Sequence, residues 1–473
     1  MSVPVNRLPP EILSRILENR TRERDLVVAT HVCQYWRSTL ISAPPLWGCF
    51  QFRSGHDLDR TLTYLERSKS ASIDVAIDLR LSPDREVFKH LAPHLARTRS
   101  LIMQGSHGIH AASLLFCNPA PSLQLLNIRS RQGFAPLPEN FLGQQAPSLN
   151  LVNLTGICPT FESPFPLPNL VGFNLHLPKG TGLFRVEAMF RFLSGCPRLR
   201  KVQIDIPDKT LQGIAQGQVF SLESLVELGY AHNPGGRVLP CLKLPRLEQL
   251  QVSSSLGPVQ VQKLDDILPC DSRRLLAGIT KMFYHSEHYS LAVDLSGNGV
   301  DISLAISRTV RGTPSVGWFS DQACIPFDQI EDLRIEGYFP VDFPLSFFAF
   351  ENLEVLRMAR WSSGFVQGLL RLLYPDPVVG VPCRSLREFE FERICREFRE
   401  PPLMSLIRLV RERKRAGHQL ELVRLSIAEV SDQSLVEELR KHVGEVQVVV
   451  RTTSTVVSAS PRCSTDCSPL QIT

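Results

Sequence analysis

The chain has 473 residues, of which 43% are hydrophobic and 21% charged, an ordinary composition for a folded globular protein. Its 52 basic and 47 acidic residues leave a net charge of +5, which is too small at this length to indicate nucleic-acid binding. No apolar run approaches the roughly 18 to 20 residues that a bilayer requires, and the N-terminus lacks the apolar core of a signal peptide. We therefore expect an intracellular protein, cytoplasmic or nuclear, whose partners are proteins, with no nucleic acid and no membrane.

The opening block, from Arg7 to Phe50, reads RLPPEILSRILENRTRERDLVVATHVCQYWRSTLISAPPLWGCF. Its two prolines can start a helix, and the next apolar residues follow at the spacing of one helix face: Ile12, Leu13, Ile16 and Leu17. Further apolar residues predict one or two more short helices, which the prolines of SAPPLW end. The block is predicted to be a three-helix unit, too small to bury a generous core of its own, so its apolar surface should need a partner.

Three segments of this block carry a resemblance to a known family: LPPEILSRIL, then DLVVATHVCQYWRSTL, then PPLW. From Leu8 to about Trp47 they resemble the F-box, the adaptor-docking module of SCF-type ubiquitin ligases, in the variant common in fungal multigene families. The resemblance implies that a Skp-type adaptor subunit binds the first helix. The residues expected in this contact are Leu8, Pro9, Ile12, Leu13 and Ile16. The residues expected in the core of the module are Val32, Trp36, Leu40 and Trp47.

Beyond this block the chain repeats the pattern L-x-x-L-x-L. The segments that fit it are Leu123, Leu126 and Ile128; Leu149, Val152 and Leu154; Leu170, Phe173 and Leu175; Leu199, Val202 and Ile204; SLVELGY from Leu225; Leu247, Leu250 and Val252; Ile330, Leu333 and Ile335; Leu353, Leu356 and Met358; Leu386, Phe389 and Phe391; and Leu422, Leu425 and Ile427. From Leu123 to Leu247 the intervals are 26, 21, 29, 26 and 22 residues, in the range of leucine-rich repeats. Each segment predicts a short strand with its apolar residues pointing inward.

The predicted fold class is α/β, with a three-helix F-box module at 4–50 and a connecting or capping segment at 51–94. An irregular leucine-rich-repeat-like horseshoe solenoid is predicted at 95–450 and a disordered tail at 451–473. The asparagine or cysteine that usually follows the repeat template is absent from nearly every segment. An asparagine ladder therefore cannot support this solenoid, and we expect irregular curvature.

Several return segments are predicted to be helices, among them RVEAMFRFLSGCP and SDQSLVEELRKHVG. The run RLVRERKRAG also has an apolar face, so its arginines are expected on the solvated side and at the basic end of a helix. Between Val252 and Ile330 the template fails, and YSLAVDLSGNGVDISLAIS predicts a β-hairpin around Asn298. The same stretch imitates a calcium loop, but Ala305 stands where a bidentate glutamate is needed, so we expect no calcium there.

No pattern of catalytic residues is present: the chain has no G-x-S-x-G elbow, no P-loop and no H-E-x-x-H. Its 12 cysteines are scattered without a C-x-x-C pair, and its histidine pairs have no convincing third ligand. We therefore expect a protein that is not an enzyme and holds neither a cofactor nor a metal ion.

The resemblance implies a substrate-recruiting adaptor that docks a Skp-type subunit, and through it a cullin-RING ligase, while the solenoid presents an unknown target protein. One alternative is an F-box and repeat scaffold that acts outside a ubiquitin ligase. Another, from a different class, is a hydrolase or transferase whose residues lie unrecognised between about 253 and 329. Solenoid surfaces bind through exposed residues that carry no motif, so the sequence does not identify the target.

Overall fold

The computed structural model describes residues 8–18, 23–53, 57–78, 86–105, 113–130, 135–137, 141–159, 161, 167–177, 184–206, 211–212, 218–232, 238–256, 268–287, 290–308, 326–337, 347–359, 363–392, 400–427 and 433–450. The tail predicted to be disordered, 451–473, lies outside these residues, as do parts of the interval from 253 to 329. The chain divides into two compact units: Met1–Ile279 with Tyr289–Pro326, and Thr280–His288 with Phe327–Thr473.

The fold is mixed α/β. The helices are α1 (Pro10–Glu18), α2 (Glu23–Ala29), α3 (Gln34–Ile41), α4 (Leu58–Arg67), α5 (Glu86–Leu91), α6 (Ser113–Phe116), α7 (Val186–Ser194), α8 (Ser272–Leu276), α9 (Ser363–Leu372), α10 (Glu400–Arg415) and α11 (Gln433–Arg440). Short 3-10 turns lie at Pro44–Trp47, Ala92–Arg97, Leu239–Cys241, Phe327–Gln329 and Phe347–Ala349.

The main strands are β1 (Cys49–Phe52), β2 (Ile73–Asp78), β3 (Thr98–Gly105), β4 (Leu125–Ser130), β5 (Leu151–Thr155), β6 (Gly172–His176), β7 (Lys201–Ile206), β8 (Glu227–His232), β9 (Gln249–Leu256), β10 (Lys281–Glu287), β11 (Ser290–Gly297), β12 (Val300–Arg308), β13 (Asp332–Gly337), β14 (Val355–Ala359), β15 (Glu388–Glu392), β16 (Leu422–Ile427) and β17 (Glu445–Val450). Two-residue strands pair Ala135–Pro136 with Ile157–Cys158, Phe184–Arg185 with Leu211–Gln212, and Phe220–Ser221 with Leu242–Lys243.

The first unit is built on a long parallel sheet. Strands β1 to β9 pair in chain order, and β12 pairs in parallel with β9. One row of in-register residues, each at most 4% exposed, is Phe50, Val75, Leu101, Leu126, Val152, Phe173, Val202, Leu228, Leu250 and Ile302. The predicted template residues of this unit thus form its core, and the sheet begins with β1 and β2, earlier than residue 95.

Consecutive strands of this sheet are joined by a repeated backbone contact where each strand starts. The carbonyl oxygen of Asn150 accepts hydrogen bonds from the N–H groups of both Val171 and Gly172, at 2.8 and 2.9 Å. The carbonyl of Val171 does the same for the next strand, with Arg200 and Lys201. Because the main chain itself makes this contact, consecutive strands are joined here without help from an asparagine side chain.

The predicted hairpin is confirmed. Strands β11 and β12 are antiparallel, with Gly297 opposite Val300, so a two-residue turn joins them. Both turn residues have positive φ, 47° at Asn298 and 77° at Gly299, as the favoured twist of a two-residue hairpin requires.

The second unit has its own parallel sheet, in the order β10, β13, β14, β15, β16 and β17. Its buried row includes Met282, Leu333, Leu356, Phe389 and Val423. The predicted template in the β16 segment was wrong by two residues. Val423 and Leu425 are the residues that pair with Phe389 and Phe391, and Leu420, which is fully buried, takes the first template position.

The helices predicted in RVEAMFRFLSGCP and SDQSLVEELRKHVG are present as α7 and α11. Helix α10 contains the predicted helical run of arginines, but one of them differs from the expectation of a solvated side chain. Arg413 is fully buried, and its two terminal nitrogens donate to the carbonyl oxygens of Pro382, at 2.7 Å, and Cys383, at 2.9 Å. The reason is that these carbonyls lie in a loop under the helix and the guanidinium satisfies both of them.

Candidate functional site

Helix α1 places apolar side chains on two different sides. It has an acidic residue, Glu11, in its first turn and a basic residue, Arg15, in its last, both favourable to the helix dipole. Leu13 is 1% exposed and belongs to the core of the module, whereas Ile12 and Ile16 are 45% and 49% exposed. Because Leu13 already packs inside the chain, it is corrected from a predicted contact residue to a core residue.

The chain segment before α1 is held in place by α3. Leu8 is half-buried and Pro9 is exposed. The hydroxyl group of Tyr35 donates a hydrogen bond to the carbonyl oxygen of Leu8 at 2.6 Å. The backbone N–H groups of Ile12 and Leu13 both donate to the carbonyl of Pro9, at 3.1 Å each. The side chains of Leu8 and Pro9 are therefore presented from a fixed backbone beside the exposed side of α1.

Helix α2 and the turn after it leave more aliphatic surface uncovered. Leu26 and Ala29 are buried, but Val28 is 65% exposed. Val32 is 55% exposed and does not belong to the core, which corrects the prediction made for it. It lies in the turn between α2 and α3, directly before Cys33, whose sulfur caps α3 by accepting from the N–H group of Trp36 at 3.5 Å.

The two tryptophans of the module differ in their environment. Trp47 is fully buried, and its indole N–H donates to the carbonyl oxygen of Leu40, which is also fully buried, at 2.8 Å. Trp36 is only half-buried, which differs from the core position predicted for it. Its indole nitrogen is enclosed, and no acceptor lies within hydrogen-bonding distance in the described part of the chain. Trp47, rather than Trp36, is the aromatic centre of this module.

We name the solvent-facing aliphatic side chains of this module the docking surface: Ile12, Ile16, Val28 and Val32, together with Leu8 and Pro9. Four aliphatic residues of this small module are at least 45% exposed, so the module has apolar surface that a partner could bury. Residues 5–53 match the family model described as F-box-like. No curated protein is detectably similar to the chain in sequence.

An F-box-like domain at residues 5–53 is consistent with a protein that binds a Skp-type subunit. In the described parts of the chain, no helix is long and apolar enough to cross a membrane. Within the same residues, no three histidine, cysteine, aspartate or glutamate side chains are grouped as a metal ion would need.

The second unit carries a different feature on the outward side of its sheet. We name it the charged face, and its residues are Asp332, Arg334, Arg357, Glu388, Glu390 and Arg424. These positions alternate with the buried row on strands β13 to β16, so their side chains lie on the opposite side of the sheet. In the sequence, each of these residues is a charged residue between two apolar template residues, so its outward position could have been predicted. Alternation alone does not show that the charged residues of four strands lie in register.

Ion pairs connect the charged face across neighbouring strands. Arg357 contacts Asp332 on one side, at 2.6 Å, and Glu390 on the other, at 3.3 Å. Arg424 contacts Glu388 at 3.2 Å and Glu390 at 3.8 Å, and its Nε donates to Gln447 at 3.1 Å. Each of these two guanidiniums is therefore fixed between acceptors on both neighbouring strands.

The corresponding row of the first unit is uncharged. Its in-register residues from β3 to β9 are Ile102, Asn127, Asn153, Asn174, Gln203, Gly229 and Gln251. The side-chain nitrogen of Asn174 donates to the side-chain oxygen of Asn153 at 2.5 Å. The two units thus present chemically different outward faces.

Proposed function

We propose that this protein is a substrate-recognition adaptor of an SCF-type, cullin-RING ubiquitin ligase. Its F-box-like module, of the type found in fungal multigene families, docks a Skp-type subunit. Its repeats form an irregular leucine-rich-repeat-like solenoid that binds a target protein. The chain performs no chemistry in this role: it raises the local concentration of the target beside a ubiquitin-conjugating enzyme inside the cell.

The docking surface carries this proposal. Ile12 and Ile16 lie four residues apart on α1 and share one side of it, while the adjacent Leu13 is buried and holds the helix onto the module. Full burial of an isoleucine side chain contributes roughly 1.5–3 kcal/mol, and about half of each side chain is still exposed here. A partner that covers both would therefore gain on the order of 2 kcal/mol from these two residues alone.

The test measures binding of a purified Skp-type adaptor to the full-length protein by titration calorimetry. The double substitution Ile12→Glu with Ile16→Glu should weaken binding by at least about tenfold, because two charges would be desolvated in an apolar contact. The matched control is Val171→Glu with Val219→Glu, which places the same charges at residues that are 41% and 56% exposed outside the module. The control should bind the adaptor at the original affinity.

Two results would count against the proposal. If the unmodified protein does not bind the adaptor, the ubiquitin-ligase role fails. If the double variant binds as tightly as the control, the contact lies elsewhere on the module. Co-purification of the cullin distinguishes the alternative, a scaffold that acts outside a ligase. A ligase subunit should co-purify with both the adaptor and the cullin, whereas such a scaffold should co-purify with the adaptor alone.

A further inference from the structure

We infer that the second unit binds a short segment of a partner protein that combines bulky apolar side chains with carboxylates, at a tight turn that follows α9. This inference rests on the proposed function, since it assigns the chemistry of the target protein. We name the site the valine-turn surface. Its apolar residues are Leu372, Val378, Val379 and Met404, and its cations are Arg371, Arg384 and Arg408.

The turn at 376–380 is fixed by its own hydrogen bonds. Asp376 and Gly380 each donate the backbone N–H to the carbonyl oxygen of the other, both at 2.8 Å. One carboxylate oxygen of Asp376 also accepts the N–H groups of Val378 and Val379, at 2.7 and 2.9 Å. Gly380 has a positive φ of 106°, which a residue with a side chain rarely adopts. Because the backbone is ordered before a partner arrives, little conformational entropy is lost on binding.

The two valines serve neither the turn nor a core. Val378 is 91% exposed, the highest value among the large hydrophobic residues that the structure describes, and Val379 is 58% exposed. Asp376, Pro377 and Gly380 are residue types that turns favour, whereas valine is favoured in strands. Adjacent valines held in solvent by a rigid turn therefore provide apolar surface for a partner.

Hydrogen bonds on both sides of the turn fasten it to α10. Before the turn, the hydroxyl group of Tyr374 donates to the carbonyl oxygen of Ser405 at 3.1 Å. After the turn, the buried guanidinium of Arg413 donates to the carbonyl oxygens of Pro382 and Cys383. The turn is therefore held against the helix at both ends.

Two further apolar side chains lie beside the first of these bonds. Leu372, two residues before Tyr374, is 44% exposed, and Met404, next to Ser405, is 51% exposed. Leu372 ends α9, and Met404 lies near the start of α10. The apolar part of the surface thus combines side chains from two helix ends and from the turn.

The cations lie next to these apolar residues. The guanidinium of Arg408 is 5.8 Å from the ring centre of Tyr374. Burial raises the pKa of Tyr374, and the positive charges of Arg408 and Arg371 oppose that rise, so both arginines are near this ring. A terminal nitrogen of Arg384 lies beside the turn, 3.2 Å from the position that a Cβ on Gly380 would take.

The charge of this surface favours an acidic partner. Arg371, Arg384 and Arg408 are exposed, and none of them forms an ion pair with another residue that the structure describes. The carboxylate of Asp376 is engaged by two backbone N–H groups, which lower its pKa, and Glu412 is paired with Arg415. Three arginines thus stand against one carboxylate that has no cationic partner, which favours carboxylates on the ligand.

A protein segment fits this surface better than an anionic membrane. Basic clusters that bind such membranes usually contain about four to eight lysines or arginines, and this surface has three arginines. Arginine also pairs with a carboxylate through two parallel hydrogen bonds, which gives the contact a defined geometry. The membrane is therefore treated as an outcome of the test.

The dimensions indicate a short binding motif. Ser405 and Arg413, which hold the two ends of the turn, are roughly 12 Å apart along the axis of α10. An extended chain covers this distance with about four residues. A few apolar residues with aspartate or glutamate beside them would therefore cover the surface.

The experiment uses the full-length protein and a fluorescein-labelled peptide of about ten residues in which pairs of leucines alternate with pairs of aspartates. Fluorescence anisotropy gives its affinity at low and at high salt. The comparison probes replace the aspartates by lysine or the leucines by serine, and vesicles of phosphatidylserine and phosphatidylcholine test membrane binding. We expect the leucine–aspartate peptide to bind most tightly and its affinity to fall as salt rises.

Two double variants test the two parts of the surface. Val378→Ser with Val379→Ser should weaken peptide binding about tenfold, because it removes apolar contact while the bonds of the turn, which use the backbone of these residues, are kept. Arg371→Gln with Arg384→Gln should weaken binding by a similar factor and reduce its dependence on salt.

The matched controls make the same changes in the first unit. Val171→Ser with Val219→Ser alters residues that are 41% and 56% exposed, and Arg129→Gln with Arg246→Gln alters two exposed arginines. Both controls should bind the peptide within about twofold of the unmodified protein.

Several results would overturn the inference. Equal losses in the controls and in the variants would show only non-specific attraction. Tighter binding of the lysine or serine peptide, or no binding of the leucine–aspartate peptide, would reject the acidic segment. Vesicle binding that the valine variant abolishes, with peptide binding unchanged in that variant, would assign the surface to a membrane instead.

All proteins in this experiment are first tested for adaptor binding and for thermal unfolding. Normal adaptor binding without binding of the leucine–aspartate peptide would reject the acidic target and leave the docking proposal intact. Loss of adaptor binding in the unmodified protein would reject the ubiquitin-ligase role, whatever the peptide does. Because Val378, Val379, Arg371 and Arg384 are exposed, their substitution should leave the unfolding temperature unchanged.

Discussion

Trp47 donates its indole N–H to the carbonyl oxygen of Leu40 at 2.8 Å, and this bond joins the end of the F-box-like module to its last helix. The ring of Tyr64 meets the indole edge to face at 5.0 Å, and the guanidinium of Arg67 lies 4.4 Å from the centre of the indole. Both of these residues belong to α4, which follows β1 in the chain. Trp47 therefore ties the module to α4.

Trp47→Ala should destabilise the protein by about 3–5 kcal/mol, because it removes a fully buried aromatic side chain and one of the donors to the carbonyl of Leu40, which keeps the N–H of Ala43 at 3.2 Å. Trp36→Ala should cost clearly less, since Trp36 is only half-buried. Chemical denaturation of the two variants measures which of them loses more free energy of unfolding. Equal losses would mean that Trp36 contributes as much to the core as Trp47 does.

Leu13→Ala and Ile12→Ala should separate folding from docking. Leu13 is 1% exposed, so its truncation should cost about 2–5 kcal/mol of stability, whereas Ile12, at 45% exposed, should cost roughly 1 kcal/mol or less. At temperatures where both variants are folded, Ile12→Ala should weaken adaptor binding more than Leu13→Ala does. The pair is measured by thermal unfolding and by calorimetry, and a stability loss from Ile12→Ala as large as that from Leu13→Ala would contradict the assignment.

The sequence predicted the buried rows well because strand alternation has a period of two. In a segment such as RLRKVQI the alternation leaves one choice of inward residues, and Val202 and Ile204 are indeed buried. The segment LELVRLSI has leucines at two competing spacings, so its register depended on hydrogen bonds to β15 that the sequence does not contain. The Asn298-Gly299 turn was predictable because its backbone conformation favours these residue types.

The candidate site was less predictable for a geometric reason. Ile12 and Leu13 are adjacent on a short helix, and an apolar pattern does not reveal which of the two meets the core. The charged face was not predicted at all, because it depends on the register between strands that are 23 to 34 residues apart, as Asp332, Val355, Glu388 and Leu422 are. Only the pairing of the strands brings such residues together.

Arg413→Met should destabilise the second unit by about 3 kcal/mol or more. The substitution removes the donor to the carbonyl of Pro382 at 2.7 Å and one of two donors to the carbonyl of Cys383, which keeps the N–H of Leu386 at 3.0 Å. Burial raises the pKa of the Cys383 thiol to about 12, so this thiol should resist a thiol-directed reagent at pH 8 in the native protein. Faster labelling of Cys383 in the variant, resolved by mass spectrometry, would report the loosened loop, and an unchanged rate together with unchanged stability would show that Arg413 is dispensable.

Gly299→Ala should destabilise the hairpin through its backbone alone. An added Cβ at Gly299 meets no atom within 4 Å, so steric overlap contributes nothing, and the cost arises from the positive φ of 77°. That cost is on the order of 1–2 kcal/mol for a residue with a side chain. Hydrogen exchange of the amides in β11 and β12 checks it, with faster exchange expected there. Equal protection in the variant and the original protein would contradict this prediction.

The last prediction concerns pH. His176 on β6 and Asp205 on β7 lie opposite each other in register, and the ring Nδ1 is 2.5 Å from the carboxylate. The hydrogen bond to Asp205 raises the pKa of His176 above its ordinary value, against an opposing effect of burial. A raised pKa in the folded state means that the protonated imidazole is favoured by folding. The resulting stability is complete below the ordinary histidine pKa of about 6.5 and is lost as pH rises through the folded value.

The two side chains are 53% and 45% exposed, so solvent screening limits the effect to a few tenths of a kcal/mol. His176→Gln should therefore lower the free energy of unfolding slightly at pH 5 and leave it unchanged at pH 8. The matched control is His90→Gln, because His90 is exposed on α5. Denaturant titrations of both variants at the two pH values test the prediction. A loss that is larger at pH 8 than at pH 5 would reverse the sign and show that His176 folds as the neutral imidazole.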